Sequence, residues 1–232
     1  MENKICLKIV KAYLNNKDDF FKYVDMNYPD LFKKENNKII EEIIIIKNYL
    51  TTNELNSIIE DILNFISNLI KLNLTANSLN LIPDNFTKLT NLKVLILNNN
   101  KITKIENINN MNELERLELR GNKIEKIEGL NFPHKIKTLT LSSNLIKSIE
   151  KDDITKNDYL EELGLFGNYI GDNENEINNE KILNDLCKIL SQNFINLKSL
   201  YIGGNYISKI NTFTLIIKNE IKSLKLLDGH NI

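Results

Sequence analysis

Two cysteines and two histidines are the residues of this 232-residue chain best suited to nucleophilic, metal-binding or proton-transfer chemistry. Their spacing supports none of these. Cys6 and Cys187 lie far apart and form no CxxC pair, which excludes a disulfide framework and a zinc knuckle and fits a reducing compartment. His134 follows Phe132-Pro133, and His230 lies near the C-terminal Ile232; neither has a cysteine, serine or carboxylate at useful spacing. Asp18-Asp19 and Asp152-Asp153 read as helix starts or solvated turns. Gly203-Gly204 is not part of a GxGxxG or phosphate loop. The expectation is a chain with no catalytic residue, no cofactor and no metal.

The remaining chemistry is that of recognition. Arg116, Glu118 and Arg120 alternate, a row suited to a carboxylate or a basic group, or to an internal ladder of surface ion pairs. Val94 and Ile96 are apolar where the pattern places solvent, which strand propensity alone would also produce. Phe166 and Tyr201 flank Gly164, a glycine expected to leave a dip for a visiting side chain. Aromatics and arginines dominate interface hot spots. The candidate binding set is therefore Ile96, Arg116, Glu118, Arg120, Phe166 and Tyr201, and what places it on one surface is a repeat.

The pattern LxxLxLxxNx(L/I) occurs six times, with its asparagines at Asn77, Asn100, Asn122, Asn144, Asn168 and Asn205. These step by 23 (77 to 100), 22, 22, 24 and then 37 (168 to 205) residues, and the first four steps fit one coil of a leucine-rich solenoid. In the xLxLx segment the leucines point inward and the x residues outward, so each coil contributes a short strand. Parallel stacking about 4.8 Å apart makes six coils a sheet roughly 25–30 Å wide. The asparagine amide, which both donates and accepts, serves backbone groups of adjoining coils where the chain turns inward. One coil cannot bury its apolar face; a stack can.

A solenoid must cover both ends of its core. Thr51-Thr52-Asn53-Glu54 reads as a capping box opening a helix whose apolar face is Leu55, Ile58, Ile59, Ile62, Leu63 and Ile66. That helix is expected to lie across the first coil. Residues 4–14, 18–26 and 37–49 also read as helices. A further helix is predicted near 180–192, on the convex side, after a flexible Asn/Glu-rich loop at 173–180 that reads as a solvated insertion; Cys187 is expected in its buried face. The reading divides the chain into an N-terminal helical region (1–65, with a capping helix at 53–65), a six-coil solenoid (66–211) and a C-terminal cap (212–232).

Composition narrows the partners. Lys+Arg total 30 against 31 for Asp+Glu, a net charge of −1 that gives no electrostatic footprint for nucleic acid or anionic lipid. The most apolar run, Ile43-Ile44-Ile45-Ile46, is far short of the roughly 20 residues that cross a bilayer. The charged N-terminus does not read as a secretory signal.

The repeat resembles the leucine-rich repeats (LRR), and the fold expected is α/β: a solenoid with a curved parallel sheet on its concave side, an N-terminal helical extension and a C-terminal LRR cap. The coils starting at Leu92 and Leu114 resemble the short intracellular type, and the one around Asn168 a ribonuclease-inhibitor-like coil. Phe213, Ile217, Ile221 and Leu224-Lys225-Leu226-Leu227-Asp228-Gly229 resemble the closing cap of the group that includes a protein phosphatase 1 regulatory subunit, the spliceosomal A-prime protein and an LRR dynein light chain. Phe213-Thr214 replaces that group's usual Tyr-Arg. The resemblance implies a monomeric, intracellular adaptor, regulatory or scaffold protein holding another protein on its concave face. It names a phosphatase catalytic subunit or a cytoskeletal or ciliary protein as the kind of partner. The alternatives it leaves are a ribonucleoprotein component that holds an RNA-binding protein, and a substrate-recruiting subunit of a ubiquitin ligase.

Overall fold

The computed structural model describes residues 3–10, 17–29, 38–46, 50–62, 68–127 and 135–232. Its elements in chain order are β1 (Asn3–Val10), α1 (Lys17–Asn27), β2 (Lys38–Ile46), α2 (Thr52–Ile62), β3 (Lys71–Asn73), β4 (Val94–Ile96), β5 (Arg116–Glu118) and β6 (Thr138–Thr140). There follow β7 (Glu162–Gly164), α3 (Glu176–Asn193), β8 (Ser199–Tyr201), α4 (Phe213–Glu220), β9 (Leu226–Leu227) and β10 (His230–Asn231). The described residues form a ten-stranded sheet in strict chain order, every pairing parallel except the last.

The register is the one the repeat demands. Leu72, Leu95, Leu117, Leu139, Leu163 and Leu200 pair in succession and make one buried column. Each of the strands β3 to β8 has only three residues, because the alternating pattern needs just one inward leucine between two outward side chains. The chain then turns through a left-handed residue, Ala76, Asn99, Gly121, Ser143, Gly167 or Gly204, and enters the asparagine ladder. Asn122 is typical. Its Nδ2 donates to Leu119 O at 2.9 Å in its own coil and to Leu97 O at 3.0 Å in the preceding one, while its Oδ1 accepts from Ile102 N at 3.0 Å. Asn100, Asn144, Asn168 and Asn205 repeat the arrangement.

The N-terminal region differs from the helical extension expected. Residues 3–10 and 38–46, read as helices, are strands, and β2 pairs with β3 through Glu42↔Lys71, Ile43↔Leu72 and Ile44↔Asn73. Of the three helices read before residue 50, α1 matches the one at 18–26, and α2 falls on the capping helix read at 53–65. The four consecutive isoleucines hid the alternation: Ile43 and Ile45 are buried, while Glu42, Ile44 and Ile46 are half-buried. β-branched residues also favour strand over helix. The region carries a seventh copy of the repeat with isoleucine for leucine: Ile40, Ile43, Ile45, Asn48 and Leu50. Asn48 lies outside the described residues, but the neighbouring bonds match the other coils. Asn77 Nδ2 reaches Ile45 O at 2.8 Å, and Ser78 N donates to Leu50 O at 3.0 Å, as Lys101 N does to Leu79 O at 2.8 Å.

The helix α2 is thus a crossover between two parallel strands rather than a terminal lid. The capping box forms: Thr51 N donates to Glu54 Oε2 at 2.8 Å, and Glu54 N approaches Thr51 Oγ1 at 3.4 Å. The helix lies against the first of the six coils through Thr52 Oγ1 to Asn80 Oδ1 at 2.6 Å and Asn85 Nδ2 to Asn56 O at 2.8 Å. At the other end Ile217, Ile221, Leu224 and Leu227 are buried over the last coil, and Phe213 packs against them. Asp228 closes the ladder, its Oδ1 accepting from Ile202 N at 2.8 Å and Gly203 N at 2.9 Å.

The polar stretch expected to be a loop is largely the first turns of α3. Asn175 caps that helix by accepting from Ile177 N at 3.1 Å and Asn178 N at 3.3 Å. Asp172 Oδ1 takes the amides of Glu174 and Asn175, which holds its carboxyl below the usual carboxylate range. Asn179, fully buried, ties this turn to Asp172 through both its amide oxygen and its nitrogen.

Candidate binding surface

The parallel register sorts the outward side chains into rows. The first residues of the strands, Lys71, Val94, Arg116, Thr138, Glu162 and Ser199, make one row; the third residues, Asn73, Ile96, Glu118, Thr140, Gly164 and Tyr201, make a second. A third row, Asn98, Arg120, Ser142, Phe166 and Gly203, stands where each strand ends. Its carbonyls are linked by the amides of the left-handed residues, Asn99 N to Arg120 O at 2.7 Å and Ser143 N to Phe166 O at 2.7 Å. The six candidate residues lie on this one face across four strands: Ile96 in β4, Arg116, Glu118 and Arg120 in β5 and at its exit, Phe166 at the exit of β7 and Tyr201 in β8.

Arg116 and Glu118 are paired with each other, Nε to Oε1 at 2.6 Å, and Glu118 Oε2 also accepts from Asn98 Nδ2 at 2.7 Å. Half of Arg116 remains exposed, while Glu118 is mostly covered. The carboxylate is therefore committed within the face, and the guanidinium keeps free N–H groups for an outside acceptor. Arg120 is exposed, and its amide is fixed by Asn98 Oδ1 at 2.8 Å. Ile96 is half-buried between Asn73 and Glu118.

Gly164 does not leave the dip expected beside Phe166. It is buried, and a Cβ there would stand 3.2 Å from both Thr140 Cγ2 and Ser142 Oγ, so side chains of the previous coil already lean over it. Phe166 is 50% exposed, with its ring against the Gly203–Gly204 backbone; Tyr201 is half-buried on the row that begins beside it.

Sequence reasoning missed a second line of aromatics. Tyr169 and Tyr206 follow the ladder asparagines of successive coils, their ring centroids 6.0 Å apart, with Lys209 Nζ 5.3 Å above Tyr206. The signal was present: both residues hold the x of the N-x-(L/I) step, which faces outward in every coil. Their conspicuous size in the last coils was passed over in favour of strand positions.

Residues with chemical potential are placed apart from this face. Cys187 is buried in α3, where desolvation, and secondarily Glu220, push its thiol from 9.0 up to about 12. His134 lies outside the described residues, and His230 is exposed in β10. Among the described residues no cluster of three or more His, Cys, Asp or Glu side chains suits a metal ion. No described helix is long and apolar enough to cross a membrane.

The chain matches two family models, one of two leucine-rich repeat copies over residues 90–132 and one of the leucine-rich repeat over residues 112–170. No curated protein matches its sequence. Among solved structures it is similar to an internalin from Listeria monocytogenes (TM-score 0.55, 18% identity, covering 79% of this chain and 46% of that one). It is also similar to a leucine-rich-repeat protein of Leptospira interrogans (TM-score 0.54, 22% identity, 81% and 54%). A third likeness is to the protein chain of a TLR13–ssRNA13 complex (TM-score 0.58, 18% identity, 92% and 30%). The chain thus spans about half the length of the first two of these proteins.

Proposed function

We propose that this chain, with the leucine-rich-repeat fold, is a non-catalytic module that holds a partner protein on its concave strand face. Stacked repeats generate extended concave surfaces of the kind such proteins bind with. The observation that carries the reading is Phe166. A large aromatic stands half-exposed over two glycines at the strand ends of this face, and its exposure adds nothing to the core. The contact set is Ile96, Arg116, Glu118, Arg120, Phe166 and Tyr201, with Arg116 oriented by Glu118.

Within leucine-rich proteins the proposed type is the short-coil intracellular one, supported by the 22-residue steps between Asn100, Asn122 and Asn144 and by the Leu224–Asp228 closure. That type makes a phosphatase catalytic subunit or a cytoskeletal or ciliary protein the partner to test first, in an adaptor, regulatory or scaffold role. The test is affinity capture with the wild type and with the triple variant Arg116→Ala/Phe166→Ala/Tyr201→Ala. A specific partner lost with the variant supports the concave site. An identical partner set with both proteins overturns it.

A further inference from the structure

We propose that the lip where the strands exit, which shares Arg120 and Phe166 with the concave contact set and extends beyond it, docks an extended acidic segment of a partner protein, with an apolar residue a few positions from its carboxylates. This rests on the interaction-module reading only in taking the ligand to be a protein.

The positions after the ladder asparagines stack in single file. Lys101 N donates to Leu79 O, Lys123 N to Ile102 O, Leu145 N to Ile124 O and Tyr169 N to Ile146 O, all at 2.8–2.9 Å. The file changes chemistry midway. Lys101 and Lys123 are exposed cations with no carboxylate partner among the described residues. Leu145, Tyr169 and Tyr206 then follow, Tyr169 43% exposed. The adjoining row of strand ends changes in the same coils, from Arg120, likewise exposed and without a carboxylate partner, to Phe166.

On the opposite lip the charges neutralise one another. Glu115 meets Lys137 at 2.7 Å and Glu161 meets Lys198 at 2.8 Å, each pair bridging adjacent coils. A solenoid that pairs its lysines so regularly on one lip leaves Lys101, Arg120 and Lys123 without a carboxylate among the described residues on the other. Unneutralised charge of one sign selects a partner of the opposite sign and speeds its encounter. The aromatic half supplies the apolar anchor that such a charged contact lacks. From the coil of Lys123 to that of Tyr169 is two coil steps, about 10 Å, which an extended peptide covers in about three residues. A nucleic acid fits less well: Lys209 already covers one face of Tyr206 where a base would stack, and the paired half of the surface adds no positive charge.

The test uses fluorescence anisotropy of a labelled Glu-Glu-Glu-Gly-Gly-Phe-Phe peptide, its Lys-for-Glu counterpart and an oligouridine, each with the full chain at low and high salt. The wild type is expected to bind the acidic peptide saturably, more weakly as salt rises. The lip variant Lys101→Glu/Lys123→Glu/Tyr169→Ala should weaken it about tenfold or more. The floor variant Arg116→Ala/Tyr201→Ala should leave it unchanged. Lys101→Gln/Lys123→Gln, with an unchanged far-ultraviolet circular dichroism spectrum, guards against misfolding and should show an intermediate loss. Absence of saturable binding, equal affinity for the lysine peptide, or tighter binding of the oligouridine overturns the proposal. Loss with the floor variant alone also overturns it, while leaving the concave reading intact.

Discussion

The ring of Phe166 lies on Gly203: a Cβ on that glycine would stand 3.3 Å from Phe166 Cε2 and 2.9 Å from Asp228 Oδ2. One bare backbone position thus lets both the most exposed aromatic of the concave face and the carboxylate that closes the ladder approach the last coil.

Gly203→Ala should therefore act on binding and stability together. The methyl displaces the Phe166 ring and crowds the Asp228 carboxylate from Ile202 N and Gly203 N, a loss of about 1–3 kcal/mol by the usual cost of overpacking. Urea denaturation reads the stability and partner capture reads the surface. An unchanged midpoint would show that the cap does not depend on this close approach.

The asparagine ladder gives the sharpest stability test. Asn122→Ala leaves Ile102 N without its side-chain acceptor and removes one of two side-chain donors from Leu119 O, which keeps Asn144, and from Leu97 O, which keeps Asn100. One buried donor left unsatisfied costs about 1–3 kcal/mol, and two lost bonds to carbonyls that keep another donor add to it, so the expected loss is roughly 2–4 kcal/mol. Asn122→Asp should also destabilise, because it keeps the acceptor and removes both donated bonds.

Cys187 sets an alkaline limit. Its folded thiol titrates near about 12 against 9.0 ordinarily, so between those values the unfolded chain has lost a proton that the folded chain keeps. Stability is full below about 9 and falls with rising pH by up to about 1.4 kcal/mol per unit across that window. Cys187→Ala should flatten this slope in denaturation series. In the wild type the thiol should react with a thiol reagent only on unfolding.

The Glu115–Lys137 pair should be visible in solution without governing stability. The Lys137 ammonium, hydrogen-bonded to Glu115, holds that carboxyl below its ordinary range, and Glu115 in turn raises Lys137. The contribution of a lowered carboxyl is present above its unfolded value and is lost as pH falls through the folded one. Carboxyl NMR titration of Lys137→Ala should return Glu115 upward, with little change in thermal midpoint, since exposed pairs are worth little.

Asn175→Ala should fray the start of α3. The side chain supplies acceptors for Ile177 N and Asn178 N, and losing an N-cap costs about 1 kcal/mol. Amide exchange should quicken over the first turn and remain slow around the buried Leu190.

Sequence by itself determined the solenoid, because a leucine column and an asparagine ladder are period-bound: Leu95, Leu117, Leu139 and Leu163 have to align once each coil has nearly the same length. It also determined which side chains point outward, since alternation in a three-residue strand leaves no choice. The seventh repeat at Ile40 to Leu50 was just as legible, and reading leucine where isoleucine serves equally in a core concealed it. Only the tertiary structure decided what those outward residues do. That Glu118 is tied across coils to Asn98, that Thr140 and Ser142 fill the space beside Gly164, and that Tyr169 meets Tyr206 all depend on rotamers and on distances between coils. Those are fixed by neighbours 20 to 40 residues away, and no local pattern encodes them.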